Sequence, residues 1–318
     1  MAVGVEFRVS FPAPLDVHAS LELFRRSGDD LIDRWDGQRL VRAVPIAGQW
    51  VPFVAIPDGT LAAPSMTVLL EKPEHLVEIK RLAQRSFVPA PATYAQVLKS
   101  DAVLSALNQQ FPGIRQIRQL DLFTALIRCI SAQQVNLRWA VTTRRRLAET
   151  FGDRHEVAGH SVYSLDPERI ARVNPAEIRA LQFTTSKSVS IVAVAQALSD
   201  ERFRLDELDG LEDEEVISRL VAIRGIGRWS AEWVLARTLG RPRLVAGDLG
   251  VRKAVGLAYG WHAAPSEAEA RAVTAHWGES TGVAQAVLLQ ALGEGALSTH
   301  KSKPEPVAPS VSRAASRR

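Results

Sequence analysis

The stretch LVAIRGIGRWSAEWVLAR, from Leu220 to Arg237, decides the fold of this chain. Apolar residues at helical spacing lie before Gly225 and after Gly227, which predicts two short helices joined by a glycine hairpin. We expect both glycines to take positive φ angles around Ile226, whose side chain anchors the turn in the core. The backbone amides that open the second helix could then hold one phosphate group. An ordinary connection between two helices is the alternative.

A single aspartate, Asp248 in the segment LVAGDLGVRKAVG, follows this hairpin. Val251, Ala254 and Val255 have the spacing of a buried helix face, so a third helix is predicted to begin directly after the aspartate. On its own, Asp248 is most simply the N-cap of that helix, because its side chain can accept a hydrogen bond from the first turn. A carboxylate beside a phosphate-binding turn could also act on a bound sugar, so Asp248 is a candidate catalytic residue.

The hairpin and Asp248 together resemble the helix-hairpin-helix (HhH-GPD) DNA glycosylase superfamily, and look most like its alkylbase branch, the 3-methyladenine DNA glycosylase II type. The resemblance covers essentially the whole chain. It implies an α+β fold: a small N-terminal antiparallel β-sheet with helices (TBP-like), then an all-α glycosylase core in two helical subdomains. It makes Asp248 the catalytic aspartate. It also implies DNA contacts around the hairpin, by Gly225, Ile226, Gly227, Arg228 and Ser230.

The chemistry that this resemblance implies is hydrolysis of an N-glycosidic bond. Breaking that bond builds positive charge on the deoxyribose, which an ionised Asp248 would stabilise. Relatives that also cut the strand carry a lysine at the start of the second hairpin helix, where this sequence has Trp229. The chain is therefore expected to release a base and to leave an abasic site without cutting the backbone.

Trp229 and Trp233 lie four residues apart, so a helix places both on one face. Tryptophans at this spacing are often core residues, which is the alternative here. The family has aromatic residues at both positions, and their rings could sandwich a flipped base. A purine alkylated at a ring nitrogen carries positive charge, which strengthens its contact with an indole ring. The resemblance thus implies a substrate-base pocket at these two residues.

A polar break at residues 131–136 separates two predicted helices. In the family, such a turn carries the residue that wedges into the duplex when the base leaves. Gln133 matches the family glutamine, and Gln134 occupies the wedge position, where the best-known relatives have leucine. The alternative is that both side chains cap a loop. The run Arg144 to Arg146 follows, and it is either a solvated helix face or a contact to the DNA backbone.

The resemblance weakens near the carboxyl end. Trp277 matches a family tryptophan, but the residues up to Thr281 depart from the family signature, which puts pocket closure there in doubt. The function expected overall is a monofunctional glycosylase that excises 3-methyladenine, 7-methylguanine and related bases from duplex DNA in base excision repair. One alternative is a glycosylase for deaminated or etheno bases such as hypoxanthine or uracil. Another is a DNA-binding module without catalysis. Metal-dependent chemistry is disfavoured, because the histidines are scattered.

The pattern of apolar residues along the sequence changes near residue 88. Before it, short alternating runs broken by Gly and Pro predict an α/β domain over 1–88. After it, helical periodicity predicts a glycosylase core over 89–300. The tail, 301–318, is rich in Pro, Ser and basic residues and is expected to be disordered.

Composition agrees with this prediction. The chain has 318 residues, a net charge of +4 and a sequence pI near 9.4, which suits double-stranded DNA as a partner. Its one cysteine, Cys129, excludes a disulfide framework and a four-cysteine iron–sulfur cluster. We expect no cofactor apart from a monovalent cation at the hairpin turn, as the resemblance implies. No leader or membrane span is evident, so a cytoplasmic protein associated with the nucleoid is expected. A monomer without an obligate protein partner is the expected state of an enzyme that must embrace bent DNA from one side.

Overall fold

The structure is a computed structural model that describes residues 4–199, 203 and 205–297. The predicted tail, 301–318, lies outside the described residues. The first part of the chain forms an antiparallel sheet of five strands in the order β1-β5-β4-β3-β2. The strands are β1 Val5–Ser10, β2 Asp33–Trp35, β3 Leu40–Ile46, β4 Gln49–Pro57 and β5 Ser65–Leu70. Helices α1 Val17–Arg25 and α2 Leu76–Gln84 accompany this sheet.

Alternation along the strands gives the sheet two apolar faces. Leu40 pairs with Ala55, and both belong to the large cluster of buried side chains shared with α1 and α2. Val41 pairs with Val54 one step further along, and these two side chains pack on the opposite face. The helices therefore cover one face of the sheet, and the other face needs a different partner.

That partner is a β-hairpin inside the part of the chain predicted to be all-helical, so this prediction is wrong at one place. Strands β6 Asp153–Val157 and β7 His160–Ser164 pair with each other. Their turn, Ala158 and Gly159, has two positive φ angles, as the tight turns of two-residue hairpins require. Val157 and Val162 of the hairpin pack against the second face of the sheet, which explains why a hairpin forms here.

The rest of the second part is helical, as predicted. Short α3 and α4 come first, followed by a longer series that ends near the carboxyl terminus of the described chain. The helices are α3 Tyr94–Ser100, α4 Ala102–Gln110, α5 Leu122–Ala132, α6 Leu137–Phe151, α7 Pro167–Ile170, α8 Pro175–Ala180, α9 Thr185–Ser199, α10 Leu205–Asp209, α11 Asp213–Val221, α12 Arg228–Val234, α13 Leu249–Ala258, α14 Glu267–Thr274 and α15 Thr281–Gly293. One π-helical turn, Leu235–Leu239, extends α12 and ends at the left-handed Gly240.

Two clusters of buried side chains divide these helices into the two subdomains that were expected. One cluster gathers residues between 122 and 239, from α5 to α12. The other joins α3 and α4 to α13 and α15, and includes the buried Trp277. The proposed boundary at residue 88 stays a prediction. Ile32, from the sheet region, packs in the first helical cluster, and Ile117 packs against the sheet, so the two parts share a tight junction.

Candidate active site and DNA-binding surface

The glycine hairpin lies between the end of α11 and the start of α12. Gly225 has a φ of 87°, and a Cβ at this position would stand 2.0 Å from the Ser190 Oγ atom of α9. Only glycine therefore satisfies both the left-handed conformation and the close approach to α9. Ile226 is buried in the helical cluster, and its amide donates a hydrogen bond to the Ile223 carbonyl at 3.1 Å. The hairpin is thus rigid and fixed to the core.

Gly227 corrects one expectation, because its φ is −99° and not positive. The residue is the N-cap of α12, a position at which the backbone is extended, and its carbonyl accepts the first helical hydrogen bond from Ala231. No heavy atom lies within 4 Å of the place where a Cβ would be. The space beside Gly227, at the N-terminus of α12, is therefore open.

The residues that follow Gly227 divide between surface and core. Arg228 is exposed and forms ion pairs with Glu214 of α11 at 2.9 Å and with the buried Glu232 at 3.2 Å. Ser230 is 0% exposed, and its carbonyl faces the Cys129 thiol of α5. The expectation that Ser230 contacts DNA is therefore wrong, because the helical turn points this residue towards α5.

The two glutamines after α5 have different roles. Gln133 Nε2 donates to the carbonyl of Gly225 at 3.1 Å, so this side chain ties the end of α5 to the hairpin. Gln134 is exposed and has a φ of 53°, a left-handed conformation that is uncommon for a residue with a side chain. The apolar side chains of Leu137 and Leu249 are also exposed, and sequence reasoning did not single them out. Leu249 directly follows Asp248, and Leu137 lines the cavity described next.

A cavity of about 400 Å³ brings together the predicted catalytic and aromatic residues. Trp229, Trp233 and Asp248 all line it. Asp248 is the N-cap of α13, as predicted, and its Oδ1 accepts hydrogen bonds from the amides of Gly250 at 2.7 Å and Val251 at 3.2 Å. Its Oδ2 makes no hydrogen bond to any described residue. One oxygen of Asp248 therefore fixes the side chain, and the other is available for chemistry.

Parts of the chain that sequence reasoning did not associate with the site complete the cavity. The end of α1 and the loop after it contribute the side chain of Phe24 and the residues from Arg26 to Gly28. Helix α15 contributes Leu289 and Leu292. No local sequence signal marks these residues, because they meet Asp248 only through the tertiary fold. Residues from both the N-terminal sheet region and the helical region therefore line the cavity.

A buried network of ion pairs joins these parts at the cavity wall. Asp30 binds Arg128 at 2.7 Å and Arg144 at 2.8 Å, and Asp33 binds Arg128 at 3.0 Å and Arg42 at 2.7 Å. Burial alone would raise the pKa of Asp30, but Arg128 and Arg144 outweigh it and lower this pKa to about 2. Arg144 is thus a structural residue. For this member of the arginine run, the alternative of a contact to the DNA backbone is wrong.

Arg237 adds a further cation to the cavity. Its guanidinium lies 5.4 Å from the centroid of the Trp233 ring, and it makes no hydrogen bond to any described residue. Burial lowers the pKa of Arg237, and the negative charge of Asp248 opposes that shift. The cavity therefore contains one uncommitted cation close enough to Asp248 to interact with it.

Trp277 does not line the cavity. It is buried in the second helical cluster, and its indole nitrogen donates to Asp101 Oδ2 at 3.2 Å. Thr281 is also buried, and its hydroxyl donates to the Gly278 carbonyl at 2.6 Å. The segment that departs from the family signature therefore supports the core behind the site.

Two classes of site are not found in the described part of the chain. Among residues 4–199, 203 and 205–297, no group of three or more His, Cys, Asp or Glu side chains could hold a metal ion. Within the same ranges, no helix is both long and apolar enough to cross a membrane.

The fold and this site define a helix-hairpin-helix protein whose cavity carries two tryptophans and one N-capping aspartate. A family model described as "HhH-GPD superfamily base excision DNA repair protein" matches residues 127–279, a range that includes the hairpin, both tryptophans and Asp248. This stretch of the chain therefore matches the HhH-GPD superfamily.

Two bacterial proteins are similar in sequence to part of this chain. Over 188 residues, the chain is 29% identical to the DNA-3-methyladenine glycosylase of Bacillus subtilis, which covers 58% of this chain and 62% of that protein. Over 194 residues, it is 31% identical to a probable bifunctional transcriptional activator/DNA repair enzyme AlkA of Mycobacterium tuberculosis, which covers 58% of this chain and 36% of that protein. The matched region thus spans less than two thirds of each of these relatives.

Solved structures with the same fold cover nearly all of the chain. A 3-methyladenine DNA glycosylase from Archaeoglobus fulgidus superposes with a TM-score of 0.79 at 22% identity, covering 90% of this chain and 98% of that one. An 8-oxoguanine glycosylase/lyase from Clostridium acetobutylicum, in complex with double-stranded DNA, gives a TM-score of 0.69 at 16% identity, covering 93% of this chain and 100% of that one. At these identities the comparisons establish the fold, including the N-terminal sheet.

Proposed function

We propose that this chain is a monofunctional DNA glycosylase that excises alkylated bases, such as 3-methyladenine and 7-methylguanine, from duplex DNA. The observation that carries the proposal is the meeting of Trp229, Trp233 and Asp248 in one cavity beside the open N-terminus of α12. The relatives named as DNA-3-methyladenine glycosylases support the choice of alkylated bases.

The hairpin supplies the grip on DNA. The first amides of α12 have no helical partner, and the space beside Gly227 is open, so a backbone phosphate can approach them. Gln134 lies on an exposed left-handed turn, from which it can enter the space that a flipped base leaves in the duplex. The flipped base then lies between Trp229 and Trp233.

Asp248 supplies the chemistry. Its Oδ1 is held by two backbone amides, so Oδ2 faces the reaction without a competing hydrogen bond from the described residues. As the bond between base and sugar breaks, the carboxylate stabilises positive charge on the deoxyribose and orients the attacking water. No lysine is among the described residues that line the cavity, so an amine that could attack the sugar and then cut the strand is missing there.

The remaining parts of the proposal concern partners and ions. We propose that the protein acts as a monomer on chromosomal DNA in the cytoplasm, without an obligate protein partner. A monovalent cation at the hairpin is also a proposal. The carbonyl oxygens of Ile223 and Gly225 accept hydrogen bonds from Ile226 and Gln133, and a cation would use their second lone pairs.

The deciding experiment measures base release from methylated duplex DNA by the wild type and by Asp248→Asn, with strand integrity read before and after alkali. Asparagine is as good an N-cap as aspartate, so the variant keeps its fold and loses the charge. We expect the wild type to release methylated purines and Asp248→Asn to retain DNA binding but lose release by 100-fold or more, about the effect of removing one key electrostatic group.

A matched control is Asp166→Asn, which replaces another N-capping aspartate that does not line the cavity. It should release bases at the wild-type rate. Full activity of Asp248→Asn would refute the mechanism. Strand breaks that appear before alkali treatment would refute the monofunctional assignment.

A further inference from the structure

Gln116 is the most unusual polar residue of the cavity wall. It is 2% exposed and lines the cavity, yet neither its Oε1 nor its Nε2 has a hydrogen-bond partner. Its backbone is fixed, because its carbonyl accepts a hydrogen bond from the amide of Val88 at 2.8 Å. Two other buried glutamines, Gln285 and Gln290, each keep one side-chain atom paired. Among the described residues with a buried side-chain amide, Gln116 alone has both atoms unpaired.

An amide in this state is costly, because burial removes its hydrogen bonds to water and nothing replaces them. A leucine at this position would fill a similar volume without that cost. A buried amide with an unused donor and an unused acceptor at a cavity wall is instead suited to a ligand that offers one acceptor and one donor side by side.

Two other uncommitted polar groups of the wall are donors. The indole nitrogen of Trp229 is buried without a partner, and the guanidinium of Arg237 bonds to no described residue. The acceptors nearby are engaged, since Asp30 and Asp33 bind arginines. Apart from Asp248 Oδ2, which the proposed function assigns to the sugar, the wall therefore has more unpaired donors than acceptors, which suits a base edge that carries a carbonyl oxygen.

We propose that Gln116 reads the flipped base, and that it selects purines with an oxo group at C6 and a hydrogen on N1 over purines with an amino group at C6. Its Nε2 donates to O6, and its Oε1 accepts from N1–H. 7-Methylguanine and hypoxanthine present this edge, whereas 3-methyladenine presents an amino group and an unprotonated N1. Both polar atoms of the Gln116 side chain are buried, so the proposal requires this side chain to turn towards the cavity as the base enters.

Rotation of the amide would let Gln116 pair with a 6-amino edge as well. The proposal places the unpaired donors of Trp229 and Arg237 beside the C6 group, where the hydrogens of an amino group would oppose them, because neither donor can become an acceptor. A site that leaves its polar groups unpaired with the wrong ligand discriminates strongly against it. The selectivity therefore comes from Gln116 acting together with a donor-rich wall.

The inference rests on the proposed function, because it requires a flipped base in this cavity. The test compares the wild type with Gln116→Leu on one methylated duplex, and measures single-turnover release of 7-methylguanine and 3-methyladenine. The glycosidic bonds of the two methylated bases differ in intrinsic stability. This difference cancels when the ratio of the 7-methylguanine rate to the 3-methyladenine rate is compared between the wild type and Gln116→Leu. We expect Gln116→Leu to lower 7-methylguanine release about tenfold, the effect of losing about two neutral hydrogen bonds, and 3-methyladenine release less than about threefold.

The control is Gln290→Leu, a buried glutamine of α15 outside the cavity, which should leave the ratio unchanged. Gln116→Leu removes two unpaired polar atoms, so its Tm should equal or exceed that of the wild type. If the Tm falls, Gln116→Met replaces it as the test variant. Equal losses for both bases, or no loss for either, would overturn the selectivity.

A second measurement does not depend on catalysis. Duplexes with 2′-fluorodeoxyinosine or 2′-fluorodeoxyadenosine resist hydrolysis, and the wild type should bind the inosine duplex more tightly, a preference that Gln116→Leu abolishes. An equal affinity of the wild type for both duplexes would overturn the inference. Release of methylated bases with an unchanged ratio would also overturn it and leave the proposed function standing. The absence of any such release would refute the proposed function, while the inosine preference would still decide the role of Gln116.

Discussion

Replacing the two hairpin glycines by alanine, one at a time, should separate folding from DNA binding. At Gly225 the new Cβ would lie 2.0 Å from Ser190 Oγ in a left-handed backbone with a φ of 87°. The conformation costs about 1–2 kcal/mol, and the overlap costs about 1–3 kcal/mol more. We therefore expect Gly225→Ala to lower the free energy of unfolding by about 2–5 kcal/mol. At Gly227 the backbone is extended and the Cβ position is open, so Gly227→Ala should cost about 1 kcal/mol or less.

For DNA binding, Gly227→Ala is the more informative variant, because its effect can be measured without a large loss of stability. The Cβ of Gly227→Ala occupies the space through which a phosphate reaches the first amides of α12, so this nearly stable variant should lose a DNA contact. Urea unfolding gives the stabilities, and fluorescence anisotropy with a labelled duplex over a range of KCl concentrations gives the affinities. Loss of this contact should lower the affinity at every KCl concentration with little change in the slope of log K against log salt, because no Lys or Arg is removed. A wild-type affinity in Gly227→Ala would refute the assignment of the phosphate to this helix terminus.

Two further predictions concern the cavity wall. Asp30 has a pKa of about 2 against an ordinary 3.8, so its carboxylate contributes about 2 kcal/mol of stability above pH 5 that is lost as the pH falls from about 4 to 2. Asp30→Asn should therefore unfold about 3–5 kcal/mol more easily at pH 7 and show a shallower acid transition in urea titrations, and an unchanged pH profile would contradict the ion-pair account. Trp229→Lys places an amine in the cavity with Asp248, so it should form an adduct with the abasic sugar that borohydride traps and should nick the strand weakly. A continued need for alkali, with no trapped adduct, would show that the amine does not reach the sugar.

The sequence predicted those parts of the site that depend on local geometry. The hairpin, the N-capping role of Asp248 and the shared face of Trp229 and Trp233 each follow from spacing within one or two helical turns. The error at Ser230 was avoidable by the same reasoning, because Ser230 lies four residues before Val234, one of the apolar residues at helical spacing after Gly227. The positive φ expected at Gly227 was wrong because an N-cap must be extended.

The rest of the site depends on contacts between distant parts of the chain. Asp30 lies 98 residues before its partner Arg128 and 114 residues before its partner Arg144, and Phe24 lines the same cavity as Trp229 and Trp233 of a distant helix. Arg144 stands in a run of three arginines that looks like a solvated helix face, and only the tertiary fold supplies its partner, Asp30. Gln116 lies in an irregular segment without periodicity, so no pattern marks it as buried. Pairing between such positions cannot be deduced from composition or spacing.

The charges that remain after this pairing fit the electron flow of the proposed reaction. Every aspartate and arginine of the buried network has an ion-pair partner, which leaves Asp248 and Arg237 as the charges of the described cavity wall without one. When a glycosidic bond breaks, its electron pair moves onto the base, and positive charge develops on the sugar. A carboxylate then stabilises the sugar, and donors such as Arg237, Trp229 and Gln116 stabilise the departing base. The donors that favour an oxo edge therefore also lower the barrier for its departure, so the selectivity proposed for Gln116 should appear more strongly in the rate of base release than in the affinity for intact DNA.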